Sequence, residues 1–107
     1  MTQRYPERTS RPLQAATATL SNVASSASSV TLLAANTGRL GVVIVNDSTA
    51  ILYVKFGSTA STTSFTYQVA ATMGTLDLTD VPVVYTGIIT GIWATANGNA
   101  RITELSA

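Results

Sequence analysis

The chain has 107 residues and 46% of them are apolar, but only 10% are Asp, Glu, Lys or Arg, against roughly a quarter in an ordinary soluble domain. It contains no cysteine and no histidine, which excludes disulfides, zinc–thiolate sites, thiol nucleophiles and the usual general acid or base near neutral pH. A net charge of +1 argues against nucleic-acid binding by the whole domain, and no apolar run approaches the ~20 residues that cross a bilayer.

Residues 1–12 differ from the rest of the chain and predict an extended N-terminal arm before a β-sandwich domain over residues 13–107. Prolines at positions 6 and 12 disfavour a helix in this segment. Because arginine and tyrosine are common in protein interfaces, we expect the arm to contact a neighbouring subunit or partner through Arg4, Tyr5, Arg8 and Arg11. A leader without a binding role is the alternative. The segment lacks the apolar middle of a signal peptide, which predicts use without secretion.

From residue 13 onward the composition predicts strands throughout. Thr, Val, Ile and Tyr dominate, and clusters of Gly, Asn, Asp and Ser interrupt them every ten to fifteen residues. Eight short strands without a convincing helix favour an all-β fold, either an antiparallel β-sandwich or a jelly roll. The predicted strands cover residues 15–24, 29–34, 40–46, 50–56, 64–70, 74–78, 87–95 and 100–105.

A first hairpin is predicted within residues 40–56. Residues 41–45 are continuously apolar, which is the pattern of a strand that is covered on both faces. The turn would be Asn46-Asp47-Ser48-Thr49, and the residues after it are largely apolar on both faces. We therefore expect one face of this hairpin to contact another subunit.

A second hairpin is predicted around Asn97-Gly98, the preferred dipeptide for a two-residue turn in which both residues have positive φ. Folding the chain there places Trp93 opposite Ile102 on one face, which we take as the core face. Gly91 then lies diagonal to Ile102 and leaves room for the indole. Trp93 and Ile102 are accordingly the predicted core anchors, and the alternative is that Trp93 stacks against a sugar.

Side chains suited to catalysis are few. Without histidine, the hydroxyls have only the sole lysine, Lys55, as an activating base, and no motif surrounds a Ser–Lys dyad there. Asp77 and Asp80 could pair or hold a calcium ion, but the spacing of a calcium loop is missing, which favours a solvated turn. No glycine loop for phosphate is present. We therefore predict a non-enzyme with no catalytic residue, metal or cofactor.

Several segments between residues 36 and 104 resemble small virion proteins that tailed bacteriophages encode in their structural-gene regions. The similar segments are Asn36-Thr37-Gly38-Arg39, Asn46-Asp47-Ser48, Leu52-Tyr53-Val54, Phe56-Gly57, Tyr85-Thr86-Gly87 and Gly91-Ile92-Trp93. The resemblance implies a β-sandwich subunit of the capsid decoration (cement) type, which binds the outside of the mature head and braces it, often as an oligomer.

The resemblance also implies partners and a location. The partners would be the major capsid protein or other virion proteins, together with further copies of the chain in a dimer or trimer. The location would be the capsid surface of the virion, after synthesis in the host cytoplasm, with no role for a membrane or nucleic acid. A neutral, hydroxyl-rich surface and an arm with arginine and tyrosine suit this function.

Two other functions stay open from the sequence. A tail, neck or head-fibre component of the virion would show the same features, because a β-sandwich serves at all these positions. A carbohydrate-binding module would use Tyr53, Tyr67, Tyr85 or Trp93 as a stacking platform. Against this, aromatic residues make up only 7% of the chain and mostly occupy apolar strand positions.

Overall fold

A computed structural model describes residues 14–107, and within that range the chain forms eight strands and no helix. This confirms the predicted all-β class, and every predicted strand is present with ends that differ by at most three residues. The predicted arm over residues 1–12 lies outside the described residues. The strands are β1 (Thr17–Ala24), β2 (Val30–Leu33), β3 (Arg39–Asp47), β4 (Leu52–Phe56), β5 (Tyr67–Val69), β6 (Gly74–Asp77), β7 (Ile89–Trp93) and β8 (Asn99–Ser106).

The strands form two antiparallel sheets that pack as a sandwich. The first sheet has the order β1-β8-β3-β6 and the second sheet has the order β2-β7-β4-β5. The pairs β1–β8, β2–β7, β3–β6 and β4–β5 are nested, as if the whole chain were one long hairpin wrapped across both sheets. This is the strand order of a jelly roll, so the structure resolves the choice between jelly roll and simpler sandwich that the sequence left open.

Both predicted hairpins are wrong, because in each of them the two strands belong to different sheets. β3 pairs with β6 and β8, whereas β4 pairs with β5 and β7. Likewise β7 pairs with β2 and β4, whereas β8 pairs with β1 and β3. A turn signal in the sequence marks only that the chain reverses. It carries no information on whether the next strand joins the same sheet or crosses to the facing one.

The turn at Asn97-Gly98 also differs from the predicted type. Of these two residues only Gly98 has a positive φ, at 77°, whereas a two-residue hairpin turn of the predicted kind needs both. The link carries the chain from the second sheet to the first, so Trp93 and Ile102 are not opposite one another in a ladder. Trp93 instead pairs with Leu52, and Ile102 pairs with Ile44.

The core lies between the two sheets, and Trp93 and Ile102 enter it from opposite sides. Their exposed fractions are 1% and 2%. Full burial of one large apolar side chain stabilises a fold by about 1.5–3 kcal/mol. The buried apolar side chains of β3, β4 and β8 alternate with more exposed ones. The first sheet contributes Val42, Ile44, Ala100 and Ile102, and the second contributes Leu32, Leu52, Val54, Val69, Ile89 and Trp93.

Gly91 makes room for two leucines and not, as predicted, for the indole. A Cβ atom at Gly91 would lie 2.8 Å from Leu32 Cδ1 and 3.0 Å from Leu52 Cδ1, closer than real side chains approach one another. Both leucines belong to strands that flank β7 in the second sheet. The glycine therefore allows the neighbouring strands to fill the core over β7.

Candidate interaction surface

The outer face of the first sheet has an uncharged area, which is bordered by Arg101 and Asp47 at one end and by Asp77 of β6, the pairing partner of Val43. Residues paired across antiparallel strands share a face, so Leu20 of β1, Thr103 of β8 and Val43 of β3 lie side by side on it. Leu20 is 74% exposed, and the neighbouring apolar residues on β3 and β8 are half-buried. We call this surface the neutral face. Its residues are Ala18, Leu20, Val43, Val45, Thr103 and Leu105.

The neutral face corrects one prediction about the continuous apolar run of β3. Val42 and Ile44 are 2% and 0% exposed against the second sheet, but Val43 and Val45 are half-buried on the outer face. The strand is thus fully covered on one face only. Sequence reasoning missed the contribution of β1, because Leu20 occurs singly among Thr, Ser and Asn. The available signal was that a leucine falls on the face of β1 opposite to Val23.

Most formal charges of the described sandwich are engaged in ion pairs. Arg39 Nε lies 2.8 Å from Glu104 Oε2, with the arginine side chain 1% exposed and the glutamate 14%. Arg101 Nη2 lies 2.9 Å from Asp47 Oδ2, at one end of the neutral face, and both side chains are nearly half exposed. An exposed pair of this kind contributes little to stability. Both pairs reduce the number of isolated charges that a partner would have to desolvate.

Arg39 is the centre of a buried network at one end of the sandwich. Besides its ion pair with Glu104, Nη1 donates to the carbonyls of Tyr85 at 2.9 Å and Gly87 at 3.0 Å. Nη2 donates to the carbonyl of Ala34 at 2.7 Å. These acceptors come from the β2–β3 and β6–β7 connections and from β8. One guanidinium therefore fixes two loops to the first sheet, which a planar donor with five N–H groups can do.

A second polar network links Asn46 to Trp93 inside the core. Trp93 Nε1 donates to Asn46 Oδ1 at 3.0 Å, and Asn46 Nδ2 donates to the carbonyls of Ala50 at 2.8 Å and Ala70 at 3.0 Å. Asn46 is completely buried. Its amide thereby satisfies polar groups of the β3–β4 and β5–β6 connections that water does not reach.

The segments that carry the resemblance to virion proteins meet in these two networks. Asn36-Thr37-Gly38-Arg39 contacts Tyr85-Thr86-Gly87 through the Arg39 bonds and through the Asn36 N–H, which donates to the Thr86 carbonyl at 2.8 Å. Asn46 and Trp93, from two further segments, are joined by their side chains. The structure thus gives these motifs a role in holding loops and sheets together.

Lys55 lies next to a serine. Its Nζ donates to Ser64 Oγ at 2.7 Å and to the Thr59 carbonyl at 3.3 Å, and both contacts are exposed. A lysine that activates a serine must accept the hydroxyl proton, whereas here Nζ donates to both oxygens. The geometry is that of a tether, which ties the loop after β4 back to its strand.

Asp77 is the last residue of β6, and Asp80 lies in the connection that follows it. Asp77 accepts hydrogen bonds from the Thr79 hydroxyl at 2.6 Å and the Thr79 N–H at 3.0 Å, and these bonds hold the pKa of Asp77 below its ordinary value. Among residues 14–107, no three acidic, histidine or cysteine side chains are grouped closely enough to hold a metal ion. The stretch around Asp77 has the geometry of a capped turn.

The aromatic residues considered as sugar platforms mostly pack against one another. Trp93 is buried, so it presents no face to a sugar. Tyr85 stacks on Phe56 with ring centroids 4.5 Å apart and planes at 2°, and Tyr53 packs edge-on against Phe65 at 5.0 Å. The structure therefore gives no support to a stacking platform at Trp93.

The predicted arm contacts at Arg4, Tyr5, Arg8 and Arg11 fall outside the described residues. The chain enters the sandwich beside the C-terminal end of β8, where the Ala16 N–H donates to the Ser106 carbonyl at 3.0 Å. Within residues 14–107 there is no helix with the length and apolar character of a membrane span. Comparison of the chain with protein-family models, curated proteins and solved structures found no match.

Proposed function

We propose that this chain is a non-enzymatic structural protein of a tailed-phage virion, a decoration (cement) protein that binds the outer capsid surface and stabilises the head. In this proposal it acts as a homo-oligomer, a dimer or trimer, and its partner is the major capsid protein. The neutral face is the observation that carries the proposal. Leu20 is exposed on the edge strand β1 and none of the six residues of the face is charged, which are features of a surface that becomes covered.

The physical advantage of such a face is the low free-energy cost of removing it from water. Burying an ionised side chain without a partner costs several kcal/mol, whereas none of the six residues of the neutral face is ionised. Burial of the Leu20 side chain would contribute up to about 1.5–3 kcal/mol. Many weak contacts of this kind, repeated over a capsid lattice, brace neighbouring subunits without any chemical reaction.

The fold and the resemblance add support of a weaker kind. Jelly rolls build viral capsid proteins, but they also build lectin domains and cupins, so the fold alone does not specify a function. The Arg39 and Asn46 networks make the body of the sandwich rigid, which suits a protein that braces its neighbours. The resemblance to phage virion proteins selects the capsid among the functions that a jelly roll serves.

The proposal is tested by co-sedimentation of the purified chain with expanded heads of the phage that encodes it. We expect saturable binding, and we expect decorated heads to resist heat and osmotic shock better than bare heads. The variant Leu20→Asp should weaken binding at least about tenfold, because 1.4 kcal/mol corresponds to a factor of ten. Met73→Asp is the matched control, since Met73 is 58% exposed and lies away from the neutral face.

Three outcomes would contradict the proposal or its contact surface. If the wild-type chain does not bind heads at all, the chain is not a decoration protein. If antibody labelling of intact particles marks only the tail, neck or fibres, the alternative virion location is correct. Equal binding of the Leu20→Asp and Met73→Asp variants would show that the neutral face is not the contact surface.

A further inference from the structure

A cavity of about 230 Å³ opens between the two sheets at the end of the sandwich where the arm enters. Strands of both sheets form its floor, and the connection between β6 and β7 forms its outer wall. Arg39 is the one charged residue among the described residues that line it. The others are Gly41, Val42, Phe56, Tyr67, Leu78, Val81, Pro82, Val83, Val84, Tyr85 and Ile89.

The aromatic part of the wall favours a planar occupant. Phe56 and Tyr85 are stacked in parallel with centroids 4.5 Å apart, and Tyr67 meets Phe56 edge-on at 5.7 Å. Offset-stacked and edge-to-face contacts are the arrangements in which an additional ring gains most. An aromatic side chain therefore fits this wall better than a branched aliphatic one.

Arg39 favours an occupant of the cavity that also has a polar atom. It is 2% exposed, and its four hydrogen bonds to Glu104, Tyr85, Gly87 and Ala34 use four of the five guanidinium N–H groups. The remaining N–H, on Nη2, has no acceptor among residues 14–107. Buried donors are nearly always paired, so the matching occupant carries a hydrogen-bond acceptor together with its ring.

The residues at the mouth of the cavity favour a protein partner. Val83 is 80% exposed and Tyr67 is 37% exposed, and apolar side chains around a pocket are typical of protein contact sites. Asp80, in the same connection, lines a neighbouring hollow and not this cavity. The exposed apolar rim and the aromatic wall therefore favour an aromatic side chain of a protein partner.

We propose that the cavity of one subunit binds Tyr5 of a second copy of this chain. A tyrosine supplies both the planar ring and a hydroxyl that can accept from Arg39, and Arg4 and Arg8 flank it in the sequence. Gln14 follows Tyr5 by nine positions, and nine extended steps span about 30 Å. The inference rests on the proposed function, because it supplies the contact by which the subunits assemble.

The position of the chain entry favours a second copy over the same copy. Ala15 lies in a separate hollow with Leu40 and Leu105, on the outer side of the β6–β7 connection. Val81 and Val84 line this hollow as well as the cavity, so the connection separates the two. Ala15 therefore lies on the far side of the connection from the cavity of its own subunit, which favours the cavity of a second copy.

Cross-linking of full-length variants tests the contact directly, because the chain has no native cysteine. One preparation carries Tyr5→Cys and another carries Val83→Cys; the two are mixed, oxidised and analysed by peptide mass spectrometry. We expect a disulfide between positions 5 and 83 of different chains. Tyr5→Cys mixed with Met73→Cys is the control and should give only background. Failure of the 5–83 cross-link to exceed that background would overturn the inference.

Subunit mass by light scattering provides the second measurement. We expect Tyr5→Ala, and the cavity-filling Leu78→Phe, to dissociate the oligomer at concentrations where wild type and Thr9→Ala remain assembled. Tyr5→Phe should weaken assembly by about tenfold, since it loses one hydrogen bond to a charged donor. A monomeric wild-type chain would overturn the inference. Head binding by that monomer would leave the proposed capsid role intact, so the two failures are distinguishable.

Discussion

Replacement of Asn46 by alanine tests whether the buried amide holds the core together. The change removes the acceptor of the Trp93 indole N–H and the donors to the Ala50 and Ala70 carbonyls. Since Asn46 is 0% exposed, water does not replace these bonds. One unsatisfied buried group costs about 1–3 kcal/mol. The two carbonyls that lose their donor, and the small void left by the side chain, add to this cost. We expect a loss of about 3–4 kcal/mol in the free energy of unfolding.

The assay is thermal and urea unfolding followed by circular dichroism at a fixed subunit concentration, because association would otherwise shift the midpoint. For a domain of this size 1 kcal/mol corresponds to about 4–8 °C, so the midpoint should fall by at least about 12 °C. Asn22→Ala is the matched control. Asn22 lies on exposed β1 and bonds only to the exposed Arg101 side chain, so its loss should stay within about 0.5 kcal/mol.

A double-mutant cycle isolates the bond between the two side chains. In a Trp93→Phe background the indole donor is already absent, so Asn46→Ala should cost about 1–2 kcal/mol less than in the wild-type chain. Strict additivity of the two changes, within about 0.5 kcal/mol, would refute the reasoning. It would mean that Asn46 acts through the loop carbonyls alone.

Three further changes have defined outcomes. Glu104→Gln removes the charge that pairs with the buried Arg39 guanidinium and should lower the free energy of unfolding by about 1–3 kcal/mol. Denaturant titration measures this loss. An unchanged midpoint would show that Arg39 is held by its carbonyl acceptors alone. Gly98→Ala should be clearly destabilising, by about 1 kcal/mol or more in the same titration, because φ is 77° and the new Cβ would collide with the Asp47 carbonyl. Bonds from Thr79 hold the pKa of Asp77 below 3.8, so this carboxylate stabilises the fold above about pH 4 and the contribution disappears as the pH falls through the lowered pKa. Asp77→Asn should therefore lose less stability than the parent between about pH 5 and 2, and an identical acid profile for both would contradict the assignment.

The sequence was sufficient to predict where the strands lie, but it was insufficient to predict which strands pair with one another. The residues of β3 and β8 are either continuously apolar or alternate between apolar and polar, and both patterns are typical of strands. The residues between the strands are turn formers. Pairing is set by contacts between distant parts of the chain, such as Thr17 with Ser106. A hairpin at Asn97-Gly98 was the favoured local solution, but the nested pairing places the two strands in facing sheets.

The hydrogen-bond partners of single polar residues were likewise not predictable from the sequence. Nothing near Arg39 in the sequence indicates that it is buried, because its acceptors lie at positions 34, 85, 87 and 104. Trp93 was predicted as core from its apolar neighbours, whereas its partner Asn46 was predicted only as the start of a turn. The neutral face required the register of three strands before Leu20 and Val43 could be placed together.

The central position of β8 has a consequence for how the chain matures. In the first sheet β8 lies between β1 and β3, so β1 has no partner until the final strand of the sandwich has been synthesised. A domain with such distant pairings folds late and slowly compared with one built from local contacts. A chain truncated before residue 99 would lack β8, so β1 would lose its one neighbour in the described sheet and β3 would keep only β6. Only copies that contain β8 would present the neutral face, because β8 joins β1 to β3.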